Sequence, residues 1–239
     1  MAKKKLWFHT VGYKHNPFTI KPGFFDDEVI GYDDEIDKIV EKLENGDVVY
    51  LEGEYGQGKT TILTYVINEF SGSYKVARVH RSRKDRAFNY EKLLIGAGNA
   101  FKRAFGMKKK NVILIVDEAN NLNKKDCDAI EKYYESGHFK AVLLQDNSFS
   151  ESNITTSLKK KIGKNVIKLK KLSADDAINL VRSRLENGKD IVSDSTIKEV
   201  FSKSKKNTRQ FLENMEDVCR HAIENGREKV TEEDVKIMT

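Results

Sequence analysis

Eight consecutive residues, Gly53-Glu54-Tyr55-Gly56-Gln57-Gly58-Lys59-Thr60, fit the pattern G-x-x-x-x-G-K-[ST] at every fixed position. Glycines at those places let the backbone enter conformations closed to other residues. Successive N–H groups then point inward and can cradle phosphate oxygens. A helix beginning at Lys59 would add the positive end of its dipole. Lys59 would bring a point charge to β- and γ-phosphates, the Thr60 hydroxyl a ligand for Mg²⁺, and Thr61 a second hydroxyl for the α-phosphate. Farther on, the continuous apolar run Val112–Val116 ends in Asp117-Glu118. An acidic pair at the end of a buried strand is costly without a cation or a reaction to serve. Asp117 suits the Mg²⁺ water shell, and Glu118 suits a base that orients and polarises an attacking water. Together these residues predict binding of ATP with Mg²⁺, and its hydrolysis to ADP and phosphate.

Such residues must be held at the ends of strands. Short apolar runs at Val48–Leu51, Lys75–His80, Val112–Val116, Ala141–Leu144 and Val166–Leu169 read as strands. Helical stretches separate them: Asp33 onward with Ile36, Ile39, Val40 and Leu43 in register, then Lys59–Phe70, about 90–105, about 124–135 and about 152–161. Alternation of this kind predicts an α/β domain with a parallel sheet covered on both faces, and the unbroken 112–116 run predicts a central strand. After Leu172 the strands stop. Ser173 caps a helix, two more follow at about 194–202 and 208–225, and Thr231 starts a last short one. The expected division is therefore a nucleotide-binding domain over 1–172, including an irregular aromatic N-terminal arm, and a helical domain over 173–239.

Composition sets bounds. Lys and Arg outnumber Asp and Glu by 43 to 37, and the pI is about 9.0. A nucleic acid or an acidic protein is thus an open partner class, beside the plain reading of a solvated lysine-rich surface. The arginine-rich run 78–86 could track a phosphate backbone or could be one more solvated face. Two distant cysteines give no disulfide framework, five histidines show no metal spacing, and no apolar run is long enough to span a bilayer. The expectation is a cytoplasmic protein with no metal site beyond Mg²⁺.

With these motifs quoted, the chain resembles AAA+ P-loop ATPases, in the branch of replication initiators of origin-recognition type, transposition regulators and the general-secretion ATPase. Asn16-Pro17-Phe18 resembles the N-terminal signature of the secretion and transposition members. Ile30-Gly31-Tyr32-Asp33-Asp34-Glu35 resembles the segment bordering the adenine, which implies Ile30 at the base. Asn207-Thr208-Arg209-Gln210-Phe211-Leu212 and the stretch 226–235 resemble the initiator lid. The resemblance implies a three-layer sheet of order 5-1-4-3-2 with a C-terminal helical lid closing over ATP. It also implies Arg209 as the lid arginine contacting the γ-phosphate, and a polar residue after the fourth strand that positions water, Asn147 or else Gln145.

Two departures from that pattern stand out. The helix where a trans-acting arginine finger is expected reads Ser157-Leu158-Lys159-Lys160-Lys161-Ile162. Either a lysine substitutes, or Arg81, Arg83 or Arg86 serves, or there is no finger. The sequence also stops at Thr239, so the initiators' winged-helix DNA-binding domain is expected to be absent. The leading functional expectation is a DNA-associated ATPase whose ATP state controls assembly, as a homo-oligomer, on non-specific duplex DNA or on a protein partner. The alternatives are a protein-partner ATPase of a secretion or pilus system, and a slow nucleotide switch.

Overall fold

The computed structural model describes residues 6–21, 29–82, 86–98, 103–104, 106–186 and 188–236. Five strands, β1 (Val48–Glu52), β2 (Lys75–His80), β3 (Val112–Asp117), β4 (Phe139–Asp146) and β5 (Val166–Lys168), form one all-parallel sheet of order β2-β3-β4-β1-β5. This is the order expected, read from the other edge. β3 lies between β2 and β4, and every one of its residues is buried, as its continuous apolar run requires. One face of the sheet presents Val48, Tyr50, Ala77, Val79, Val112, Leu114, Val116, Val142 and Leu144 to an aromatic-rich core with Tyr90, Ile130, Tyr133 and Phe139. The two-residue period of a strand sends Val49, Leu51, Ile113, Ile115 and Leu143, all buried, to the other face.

Helices α1 (Trp7–Thr10), α2 (Asp33–Glu44), α3 (Lys59–Phe70), α4 (Tyr90–Gly96), α5 (Lys124–Glu135) and α6 (Thr156–Ile162) fall before and between the strands. α7 (Ala174–Leu185), α8 (Asp194–Lys203), α9 (Thr208–Glu224) and α10 (Glu232–Val235) follow the sheet. Caps set their starts. The Asn123 side chain accepts from the amide of Asp126, whose carboxylate returns the bond to the Asn123 amide; Ser173 and Asp176 repeat this capping box. α6 begins four residues later than expected because Thr155, not Ser152, caps it, while the Ser152 hydroxyl donates to the Phe149 carbonyl. α4 ends at Gly96, and the expected continuation toward 105 falls partly outside the described residues.

The chain divides into two compact units. One contains Tyr32–Tyr55 and Lys59–Lys170; the other contains the residues up to Gly31, Gly56–Gly58, and those from Lys171 onward. The first holds the sheet. In the second, the N-terminal arm packs on the C-terminal helices. Trp7 and Phe18 are buried and stacked. The Tyr13 hydroxyl donates to the carbonyls of Lys189 (2.8 Å) and Leu185 (3.1 Å). Arg184 donates to the Pro17 and Thr19 carbonyls. Of the arm's aromatics, Phe24 and Phe25 lie outside the described residues.

The last helix of this unit rests on a buried carboxylate. Asp234 is fully buried and accepts from the Thr231 amide and hydroxyl (2.9 and 2.8 Å), from His221 (2.8 Å) and from Arg227. Burial alone would raise its pKa, but Arg227, the Thr231 amide, His221 and the Thr231 hydroxyl together pull it down to about 2. A depressed carboxylate stabilises the fold fully above the unfolded value of roughly 4 and loses that contribution as pH falls toward the folded one. Asp234→Asn should therefore cost on the order of 2 kcal/mol near neutral pH. Thermal unfolding of the variant should also be less acid-sensitive between about pH 5 and pH 2. Parallel melting curves of variant and wild type across that window would contradict this role.

Candidate functional site

The C-terminal ends of the strands deliver the polar residues, as open parallel sheets do. β1 runs straight into the glycine loop, and α3 starts at Lys59. Gly56 (φ 82°) and Gly58 (φ 88°) take left-handed backbone conformations that a side chain would strain. At Gly58 an added Cβ would meet nothing within 4 Å, so conformation alone demands glycine there. At Gly56 crowding adds to it. A Cβ would come within 2.5 Å of Asn207 Oδ1, and the Gly56 carbonyl accepts from the Arg209 amide at 3.0 Å. Gln57 is buried, Glu54 and Tyr55 are exposed, and Thr60 and Thr61 are half-buried in the first turn of α3.

The Lys59 ammonium donates to the carbonyls of Gly53 (2.7 Å) and Glu54 (2.9 Å) and to Asn147 Oδ1 (3.0 Å). Burial lowers its pKa, opposed by the negative charges of Asp146 and Asp117. It is a partly desolvated cation whose hydrogen-bond partners among the described residues are neutral oxygens, which suits a phosphate. The hard oxygen donors of Thr60 and Asp117 likewise fit Mg²⁺.

Asp117 ends β3 and is buried. Its Oδ2 accepts from Arg78 at 2.9 Å and its Oδ1 from Gln145 Nε2. Glu118 is half-exposed and takes a left-handed backbone (φ 58°, ψ 53°), unusual for a residue with a side chain. Its Oε2 accepts from Asn121 Nδ2 at 2.9 Å. The Asn120 amide, donating to Asp146 Oδ2 at 2.8 Å, fixes the turn that produces this conformation.

Both residues considered for the water-positioning role reach the site. Asn147 meets Lys59, and Gln145 meets Asp117. Asp146, which sequence reasoning missed, joins three segments. Its carboxylate accepts from the Asn120 and Asn147 amides, and its carbonyl accepts from Gly53 N–H. The signal was present, since Asp146 is an acid ending a buried apolar strand, just as Asp117 is. Within the helical unit, the half-exposed Arg209 pairs with Glu213 at 3.2 Å, and Ile30 is half-buried beside Gly31.

The arginine-rich run needs correction. Arg81 is buried and donates to Asp126 Oδ2 (2.9 Å) and to the Arg86 carbonyl (2.9 Å). A buried arginine bound to a buried carboxylate can serve neither a DNA track nor a neighbouring subunit. Arg78 is engaged by Asp117, Arg86 is exposed, and Arg83 lies outside the described residues. On α6, Lys159 donates to the Ser150 and Ser152 carbonyls and Lys161 pairs with Glu135, while Lys160 is exposed.

No family model matches the chain, and no curated protein matches it. Solved structures do. Cdc6p of Pyrobaculum aerophilum superposes with a TM-score of 0.73 at 15% identity, over 95% of this chain and 71% of that one. ORC1 of Aeropyrum pernix, solved in complex with DNA, gives 0.73 at 14% identity over 94% and 68%. A RuvB variant of Thermotoga maritima gives 0.67 at 16% identity over 89% and 71%. The chain has the α/β fold of AAA+ P-loop ATPases. Among the described residues, no helix is long and apolar enough to cross a membrane.

Proposed function

We propose that this chain binds ATP with Mg²⁺ at the glycine loop and hydrolyses it, and that its ATP state controls assembly on duplex DNA. The observation that carries the reading is the meeting of Lys59, Asn147, Asp117 and Asp146 at the strand ends of this fold. The loop amides and Lys59 hold the phosphates. Thr60 and Asp117 would hold Mg²⁺, which would supply charge neutralisation for the phosphates. Glu118 takes a proton from water as the water oxygen attacks the γ-phosphorus and the bond to the ADP oxygen breaks. Asn147 positions that water, with Gln145 steadying Asp117. Arg209 serves as the γ-phosphate-sensing arginine. Ile30 borders the base. The cytoplasm is the compartment this chemistry suits, since ATP and Mg²⁺ are held there.

The DNA part rests on the basic excess and on the likeness to an ORC1 protein solved in complex with DNA. Fluorescence anisotropy on two unrelated duplexes across a salt series tests it, with sizing in ATP and in ADP. Binding should be equal for both duplexes and stronger with ATP. Log affinity should fall linearly with log salt, by roughly 0.9 per phosphate contact. No binding to either duplex at low salt with ATP would remove DNA. The burial of Arg81, which takes away the middle of the most arginine-rich segment, favours a second reading in that event: an ATPase acting on a protein partner.

A further inference from the structure

The acids of β3 meet a cation that nucleotide binding does not use. On β2, Ala77 and Val79 face the aromatic core, so Arg78 and His80 emerge on the opposite face beside Asp117, which pairs in register with His80. Arg78 Nη2 donates to Asp117 Oδ2 at 2.9 Å, and His80 Nδ1 lies 3.7 Å from the same oxygen. Gln145 Nε2 takes Oδ1. Both oxygens of a carboxylate with only 7% of its side chain exposed are thus engaged, and its charge is matched by a guanidinium. Arginine cannot shed that charge by deprotonation. Arg78 can leave, because its side chain is 35% exposed and one hydrogen bond joins it to Asp117.

We propose that Arg78 is a built-in counter-ion occupying the charge position a divalent cation needs at Asp117, so that Arg78 sets the Mg²⁺ concentration at which nucleotide is held. The proposal rests on the assignment of Asp117 to the metal. Two cations repel one another beside one buried carboxylate, where water screens them poorly. The metal with its water shell therefore competes with the guanidinium for Asp117. Arg78 is a positioning residue in this scheme, acting through Asp117.

The test measures binding of a fluorescent ATP analogue from EDTA to excess Mg²⁺. In Arg78→Gln the half-saturating Mg²⁺ concentration should fall about tenfold, the scale of one lost charged hydrogen bond. Arg78→Lys, which keeps a charge, should stay closer to wild type. An unchanged or raised Mg²⁺ requirement in Arg78→Gln would overturn the proposal. Mn²⁺ binding followed by electron paramagnetic resonance without nucleotide separates the two levels of inference. Failure of the wild type to bind the analogue at any Mg²⁺ would refute the nucleotide reading. Mn²⁺ held equally by wild type and Arg78→Gln would refute the role of Arg78. Should Arg78→Gln lose its fold by circular dichroism, the wild type still decides. The Arg78 Nε resonance should move when Mg²⁺ and nucleotide are added together, and a resonance that stays in place would overturn the displacement.

Discussion

Lys59→Ala should lose nucleotide affinity by a factor of roughly a hundred or more, the largest effect on binding expected of any single change. Truncating one member of a desolvated charge pair costs about 2–5 kcal/mol, and each 1.4 kcal/mol is about tenfold in affinity. Lys59 is such a member once phosphate arrives, because burial has already stripped part of its water and its present partners are two carbonyls and an amide oxygen. The same burial gives a pH signature. The free chain's Lys59 pKa is lowered, chiefly by desolvation and against the pull of Asp146 and Asp117. Phosphate prefers the ammonium form, so binding favours protonation. Affinity is thus full below the lowered pKa and declines as pH rises through it, earlier on the alkaline side than for an exposed lysine. Titration calorimetry of ATP across an alkaline pH series, for wild type and Lys59→Ala, checks both statements. Wild-type affinity in the variant would remove the phosphate-loop assignment.

Glu118→Gln should bind ATP normally and lose turnover by about 10²–10⁴-fold, the usual share of a positioned base. The substitution keeps shape and length, and Asn121 can still hydrogen-bond the amide oxygen. Asp117 remains to hold the metal. Single-turnover hydrolysis beside equilibrium binding separates the two effects. Wild-type hydrolysis in Glu118→Gln would move the base elsewhere. The strained backbone at Glu118 makes a structural change conceivable, and unaltered ATP affinity in the same sample excludes it.

The strands and their parallel direction were legible because each local signal agrees with the next, whereas their order was implied by the family resemblance. The glycine loop sits between a strand and a helix, and an all-apolar run ends in acids. What the sequence hid was pairing across the sheet. Arg81 looks like its neighbours in a basic run, yet Asp126, 45 positions away, draws it into the core. Arg78 sits in the same run and ends on Asp117, because alternation along β2 turns it to that side. Asp146 was readable by the rule that found Asp117, but the fourth strand was expected to end at Leu144, two residues early. The N-terminal aromatics were rightly too apolar for a free tail. Their partner was not readable, since the bonds that hold the arm run from Tyr13 and Arg184 to backbone carbonyls, which carry no sequence signature.

The most direct test of the central claim is phosphate release from the purified chain with ATP and Mg²⁺, run beside Glu118→Gln and with EDTA in place of the metal. The proposal predicts steady multiple turnover in the wild type, at least a hundredfold less in Glu118→Gln, and none with EDTA. Wild-type phosphate release no faster than that of Glu118→Gln, in a preparation that binds ATP, would contradict hydrolysis at this site.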